Sequence, residues 1–168
     1  MMETKQANQT NQTKKNDQTK QVIFALGNEE YGLDIMLVNA IEKYTDMVKI
    51  PNAPSYISGI INLRGDVIPV FSLRSKFGLP EKEKDDNSKL IVTKSRDILM
   101  AYEVDVVKEI IEIPPENLSE TPIIVKNNNT SYIKCVANIN GRMILLLDHD
   151  GIISAKEKES IETMMSNQ

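Results

Sequence analysis

The feature that most limits what this chain can become is a repeat of itself. SYISGIINLRGDVIPVFS (residues 55–72) lies over SYIKCVANINGRMILLLD (131–148) without a gap. Ser55 meets Ser131, Tyr56 meets Tyr132, Ile57 meets Ile133, Asn62 meets Asn138, Gly65 meets Gly141 and Ile68 meets Ile144. Upstream, Tyr31-Gly32-Leu33-Asp34-Ile35 echoes Tyr102-Glu103-Val104-Asp105-Val106, and Ile50-Pro51 echoes Ile113-Pro114, in the same order. A unit of roughly 60 residues is marginal alone, whereas two related units sharing a core make a stable domain. Short aliphatic strands with frequent turn signals favour small barrels over flat sheets. The expected fold class is therefore all-β, two small barrels related by a pseudo-twofold, with short helices and a groove at the seam between them.

Along the chain, residues 1–20 are a polar Gln, Asn, Thr and Lys tract with little to bury, and a disordered tail is expected there. A single folded domain is expected over 21–153, with a C-terminal helix and tail over 154–168. Val22–Leu26 and Tyr31–Ile35 flank Gly27-Asn28 and read as a hairpin. Met36–Ile41 is read as a helical turn or two with Val38 and Ile41 on one side, leading into a strand from Ile41 towards Ile50. Pro51 and Pro54 break the chain, and Ser55-Tyr56-Ile57 is read as a short helix. Ile60–Leu63 and Val67–Phe71 form a second hairpin around Arg64-Gly65-Asp66. The charged run Glu81–Ser88 divides the halves, giving a first barrel over about 21–80 and a second over about 88–147, with exchange of first strands between them allowed. In the second half, Lys89–Thr93, Ile98–Val104, Tyr132–Ile139 and Met143–Leu147 read as strands, with a polar turn at Asn127–Thr130. Ser154 with Glu157 forms a capping box that opens a helix carrying Ile161, Met164 and Met165 on one face.

The chemistry the residues exclude is as informative. The net charge is −4 with no basic stripe, which argues against nucleic acid, since phosphate neutralisation supplies most non-specific affinity. One Cys and one His do not make a zinc site, and no Gly-Lys-Ser/Thr loop cradles a phosphate. His149 between Asp148 and Asp150 reads as an exposed turn residue. Cys135 reads as a small apolar residue. No apolar run approaches the ~20 residues of a membrane helix, so a cytoplasmic protein without membrane insertion is expected. No catalytic residue, cofactor or metal is expected. An interaction module leads over the alternative, a small β-barrel enzyme or ligand-carrying protein.

Three stretches carry a family likeness: Phe24–Ile35 (FALGNEEYGLDI), Ile50–Gly65 (IPNAPSYISGIINLRG) and Val67–Arg74 (VIPVFSLR). They resemble the CheW family of chemotaxis coupling proteins, over about residues 21–153. The resemblance implies two SH3-like barrels and an adaptor that joins the cytoplasmic tip of methyl-accepting chemoreceptors to the regulatory domain of the histidine kinase CheA. It implies recruitment to receptor arrays at the inner face of the membrane. Receptor contact in the family points to Val38, Ile41, Ile57, Gly59, Leu63 and Arg64. For Val38, Ile41, Ile57 and Leu63, core filling stands beside partner contact. Arg64 is either a register-fixing hydrogen-bond donor or a solvated turn residue. Kinase contact points to Ile35 and Leu37 in the first half and to Ile91 and Val92 in the second, as exposed apolar positions. The chain departs from the family where Ala40 replaces a frequent glutamate, Cys135 a frequent glycine, and Ala101-Tyr102-Glu103 a Gly-rich strand start.

Overall fold

The computed structural model describes residues 20–95, 98–121 and 132–166. The expected tail up to residue 19 and the polar turn at 127–130 lie outside them. The strands are β1 (Lys20–Leu26), β2 (Glu29–Asp34), β3 (Val38–Lys43), β4 (Ile57–Leu63), β5 (Asp66–Ser72), β6 (Lys89–Ser95), β7 (Ile98–Val104), β8 (Val106–Glu112), β9 (Leu118–Glu120), β10 (Ile133–Ile139) and β11 (Arg142–Leu147). The helices are α1 (Leu73–Lys76), α2 (His149–Ile152) and α3 (Ala155–Ser166), with 3-10 turns at Ile35–Leu37 and Pro115–Asn117. The all-β class holds.

The repeat is a repeat of structure down to single hydrogen bonds. β4–β5 and β10–β11 are both hairpins with two-residue turns, Arg64-Gly65 and Asn140-Gly141. All four turn residues have positive φ (52°, 90°, 52° and 86°), the mirror-image turn that matches the right-handed twist of a hairpin. In each turn the glycine N–H donates to an asparagine side chain, Asn62 at 3.1 Å and Asn138 at 3.2 Å. Each hairpin carries a bulge near its start, between Ile57 and Gly59 and between Ile133 and Cys135. Each closes with a matching bond, Ser72 N–H to the Tyr56 carbonyl (2.8 Å) and Asp148 N–H to the Tyr132 carbonyl (2.7 Å). Ser72 and Asp148 then cap α1 and α2 with their side chains.

The strands form two sheets, in the orders β8-β1-β2-β11-β10-β9 and β3-β6-β7-β5-β4. Each sheet takes strands from both halves of the sequence: β1 and β2 sit with β8–β11, while β6 and β7 sit with β3–β5. Each has one parallel contact, β2 with β11 and β5 with β7, among antiparallel ones. In each sheet a short connection links the two edges. The chain leaving edge strand β3 bridges at Val48 to Ile60 in the opposite edge strand β4, and the chain leaving β8 becomes the opposite edge β9. Sheets whose edges are tied this way must curl.

Alternation along the strands separates three cores. Inside one sheet lie Ile61, Ile68, Val70, Leu90, Val92 and Ala101; inside the other lie Ile23, Ile113, Ala137, Ile144 and Leu146. The intervening residues, among them Phe24, Leu33, Phe71, Ile91 and Tyr102, point into a larger core shared by both sheets. Strands buried on both faces read as continuous apolar runs, as Val22–Leu26 and Leu90–Val92 do. Ile152, Ile153 and Ile161 close this shared core. The capping box forms, with Ser154 Oγ accepting from the Glu157 N–H at 3.1 Å, and Met164 and Met165 pack beside Ile161.

Three local expectations are corrected. Met36–Ile41 is not helical: a 3-10 turn, opened by Asp34 accepting the Met36 N–H (2.9 Å), leads into β3, which ends at Lys43. Pairing with β6 overrides the helical reading. Ser55-Tyr56 is a turn, and Ile57 already begins β4. His149 is buried, at 4% exposure, because the hairpin equivalence carries it into the closure of the shared core. Among the described residues no helix is long and apolar enough to cross a membrane.

Candidate partner-docking site

The first half brings the expected receptor residues to the two edge strands, β3 and β4, of the β3-β6-β7-β5-β4 sheet, at unequal depths. Val38 and Ile41 stand on one face of β3, because the register shift between Val38 and Ala40 sets them opposite Thr93 and Ile91: Val38 is half-buried against the shared core, and Ile41 is 38% exposed. Leu63 packs inside the sheet with Ala40. Ile57 is buried. Gly59 is buried by backbone, since a Cβ there would stand 2.5 Å from the Val48 carbonyl oxygen. Its bareness lets Val48 and Ile60 exchange hydrogen bonds of 3.0 and 2.8 Å. Arg64 sits at the β4–β5 turn with its side chain 75% exposed, and its Nη2 donates to Glu42 Oε1 at 3.0 Å. That pair spans from β3 to the turn after β4, the two edges of the sheet. Met36, 73% exposed in the preceding 3-10 turn, adds an apolar surface that the helical reading of 36–41 missed.

The expected kinase residues divide. Ile35 and Leu37 are half-buried in the 3-10 turn and pack against the shared core. Ile91 and Val92 are not exposed positions. They lie in β6 between β3 and β7 at 0% and 1% exposure, one side chain in each core. Second-half apolar strand residues were legible, but not which strand would be central.

The seam between the sheets is filled by the shared core, and solvent reaches it only at its margins. An open cleft of ≈ 630 Å³ runs between the Met47–Ser58 region and the 81–84 loop, where Lys84 Nζ reaches Glu103 Oε2 at 3.2 Å. Ile57 of the expected receptor set lines it. A smaller cavity of ≈ 210 Å³ lies beside Leu37 and His149. Among the described residues no group of three or more His, Cys, Asp or Glu is placed to hold a metal ion.

Two polar arrangements were invisible in sequence because their partners are distant. Arg142 holds Glu30 through Nε (3.0 Å) and Nη2 (2.8 Å), and its Nη1 reaches Glu109 at 3.1 Å. The Arg142 hydrogen bonds keep the Glu30 carboxyl below the usual carboxylate range. At the seam, Tyr102 Oη and His149 Nδ1 are 2.8 Å apart, joining the two sheets. Burial pushes the imidazole pKa below 6.5, helped by Lys158 and opposed by Asp150 and Asp148. The sign follows. Above about pH 6.5 the ring is neutral in folded and unfolded chains; below it only the unfolded chain takes up the proton. Unfolding free energy should therefore fall as pH drops from 6.5 to 5, above the range in which carboxylates titrate. His149→Gln should flatten that slope in urea titrations, and equal slopes would contradict the burial of this imidazole.

A model of the CheW-like domain matches residues 20–157, almost the whole described chain. The chain belongs to the CheW family. It is 32% identical to the chemotaxis protein CheW of Klebsiella aerogenes over 143 residues, 85% of this chain and 86% of that protein. It is 29% identical to the CheW of Bacillus subtilis, across 89% of this chain and 94% of that one. The crystal structure of the scaffolding protein TtCheW from Thermoanaerobacter tengcongensis superposes with a TM-score of 0.76 at 34% identity, over 84% of this chain and 96% of that one. The CheW fold accounts for the two curled sheets and for their shared core.

Proposed function

We propose that this chain is a chemotaxis adaptor that couples the cytoplasmic tip of transmembrane chemoreceptors to the regulatory domain of the histidine kinase CheA, without catalysing a reaction. It works in the cytoplasm, at arrays on the inner face of the membrane. Similarity to a scaffolding protein across 84% of the chain is the observation that carries this reading. The surface supports it: Met36 and Ile41 are exposed at the β3 edge and Arg64 at the β4 edge, the two edges that the Arg64–Glu42 pair joins, with Val38 and Leu63 half-buried beside them. A helical receptor tip laid along such joined edges is a standard recognition mode. An adaptor alters kinase activity only if the two partners' binding is coupled, by roughly 1–3 kcal/mol. Individually weak contacts persist through effective concentration in an array.

The test is to mix the purified chain with receptor fragments and kinase, pellet the assemblies and follow autophosphorylation. If the chain neither co-sediments nor alters the kinase, the adaptor reading fails. Arg64→Ala should leave folding stability within about 0.5 kcal/mol, because an exposed ion pair contributes little. It should weaken receptor co-sedimentation about tenfold, about 1.4 kcal/mol. Wild-type binding by this variant would return Arg64 to a solvated turn residue.

A further inference from the structure

The internal repeat lets one half of the molecule be compared with the other, and the comparison breaks at one place. In the first half, Arg74 clamps Asp105: Nε donates to Oδ1 at 3.0 Å and Nη2 to Oδ2 at 2.5 Å. Asp105 repeats as Asp34 in the second mark of the repeat. Carrying the gapless alignment of the hairpins past its end sets Asp150 in the place of Arg74. The strand register gives a different partner but the same chemistry. Phe71 opposes Tyr102, and Arg74 and Asp105 each follow these by three residues. Leu145 opposes Tyr31, and the residues three further on are Asp148 and Asp34. By either count, a carboxylate stands where the other half has a guanidinium.

The consequence is visible in space. Asp34, Asp148 and Asp150 together line the ≈ 210 Å³ cavity, with Leu37, Lys134 and His149. Asp34 spends one oxygen on the Met36 N–H, Asp148 one on the Asp150 N–H, and Asp150 holds Lys158 at 3.2 Å. Lys134, also in the wall, forms no ion pair with any described residue. His149 is 4% exposed, and its Nε2 has no partner among the described residues, while Nδ1 is engaged by Tyr102. A buried polar atom left unpaired beside clustered carboxylates is costly unless a partner completes the site.

We propose that this cavity receives the guanidinium of an arginine from a partner protein, in the position that Arg74 occupies in the other half. The assignment rests on the adaptor reading, which supplies the partner, and Leu37 in its wall belongs to the turn expected to meet the kinase. Planarity and five donors suit a guanidinium to paired carboxylate oxygens and, in the tautomer that donates Nδ1–H to Tyr102 Oη, to an Nε2 acceptor; an ammonium offers no such fork.

The test is an NMR titration of the full chain with N-acetyl-L-arginine methylamide, with N-acetyl-L-lysine methylamide as the charge-matched control. Saturable shifts are expected in the millimolar range, centred on Asp34, Leu37, Lys134 and residues 148–150, with the lysine probe about tenfold weaker. Asp34→Asn keeps the turn-opening oxygen and removes the charge, and should weaken the arginine probe about tenfold. Asp150→Asn provides a second variant should the first perturb the turn. Equal response to both probes, shifts located elsewhere, or unaltered binding by both variants would each overturn the proposal. Co-sedimentation with receptor and kinase is scored separately. A chain that pellets normally but ignores the arginine probe would sink the cavity assignment alone.

Discussion

Arg74→Ala is expected to remove about 3–5 kcal/mol of folding stability, as removal of one partner from a buried pair does. Arg74 and Asp105 are only 13% and 14% exposed. Besides its two bonds to Asp105, Arg74 donates through Nη1 to the Pro80 carbonyl at 2.7 Å, and Asp105 accepts the Gly27 N–H at 2.7 Å. One knot thus ties α1, the start of the charged loop and the β7–β8 junction to the β1–β2 turn of the other sheet. Without the guanidinium, Asp105 stays nearly buried with little more than Gly27 to hold its charge. The pH dependence is a second check. Burial pushes the Asp105 carboxyl up, but the bonds from Arg74 and Gly27 outweigh it and hold it below its ordinary value. The wild-type advantage is therefore present above the ordinary carboxylate range and fades as pH falls through the depressed value. Urea unfolding at pH 7 and again near pH 3 should show the gap between variant and wild type narrowing in acid. A deficit under about 1 kcal/mol at pH 7 would mean the pair behaves as a surface bridge.

The second large effect is Phe71→Ala, with an expected loss of about 3–5 kcal/mol. Phe71 is 1% exposed, stacks on Tyr56 at 5.8 Å between centroids and meets Tyr102 at 5.9 Å. It lies in the core shared by the two sheets. Against a typical total of 5–15 kcal/mol, such a loss is a large share of all the stability the fold has. The shared core also predicts how the loss is distributed. Unfolding should remain a single transition, and hydrogen exchange should quicken in β1 and β2 as much as in β5 and β7. Two separate transitions, with the β8-β1-β2-β11-β10-β9 sheet unaffected, would show the sheets to be independent units.

Particular elements explain what was readable in advance. Arg64-Gly65 and Asn140-Gly141 are two-residue turns with an asparagine two or three residues upstream, a signal that depends on a handful of neighbours. The capping box at Ser154 and Glu157 is equally local, and both formed as the residues foretold. The 36–41 segment misled because Val38 and Ile41 have helical spacing, while the deciding contacts, Ala40 with Val92 and Ile41 with Ile91, come from β6. Ile91 and Val92 misled for the same reason, since an apolar strand looks alike at an edge and at a centre. His149 looked like a solvated turn residue because its partner, Tyr102, is 47 positions away.

The amino-acid order alone determined the duplication, the hairpin turns and the pairing within hairpins, because φ preferences, turn chemistry and alternation act over a few residues. Only the tertiary structure decided which strands from opposite halves share a sheet and which face of a doubly apolar strand meets the shared core. It also decided which charges meet, as with Arg74 and Asp105, 31 positions apart, and Arg142 and Glu30, 112 apart. Such pairings depend on distances through space that chain-local propensities do not encode, and the acidic cavity beside His149 exists only because of them.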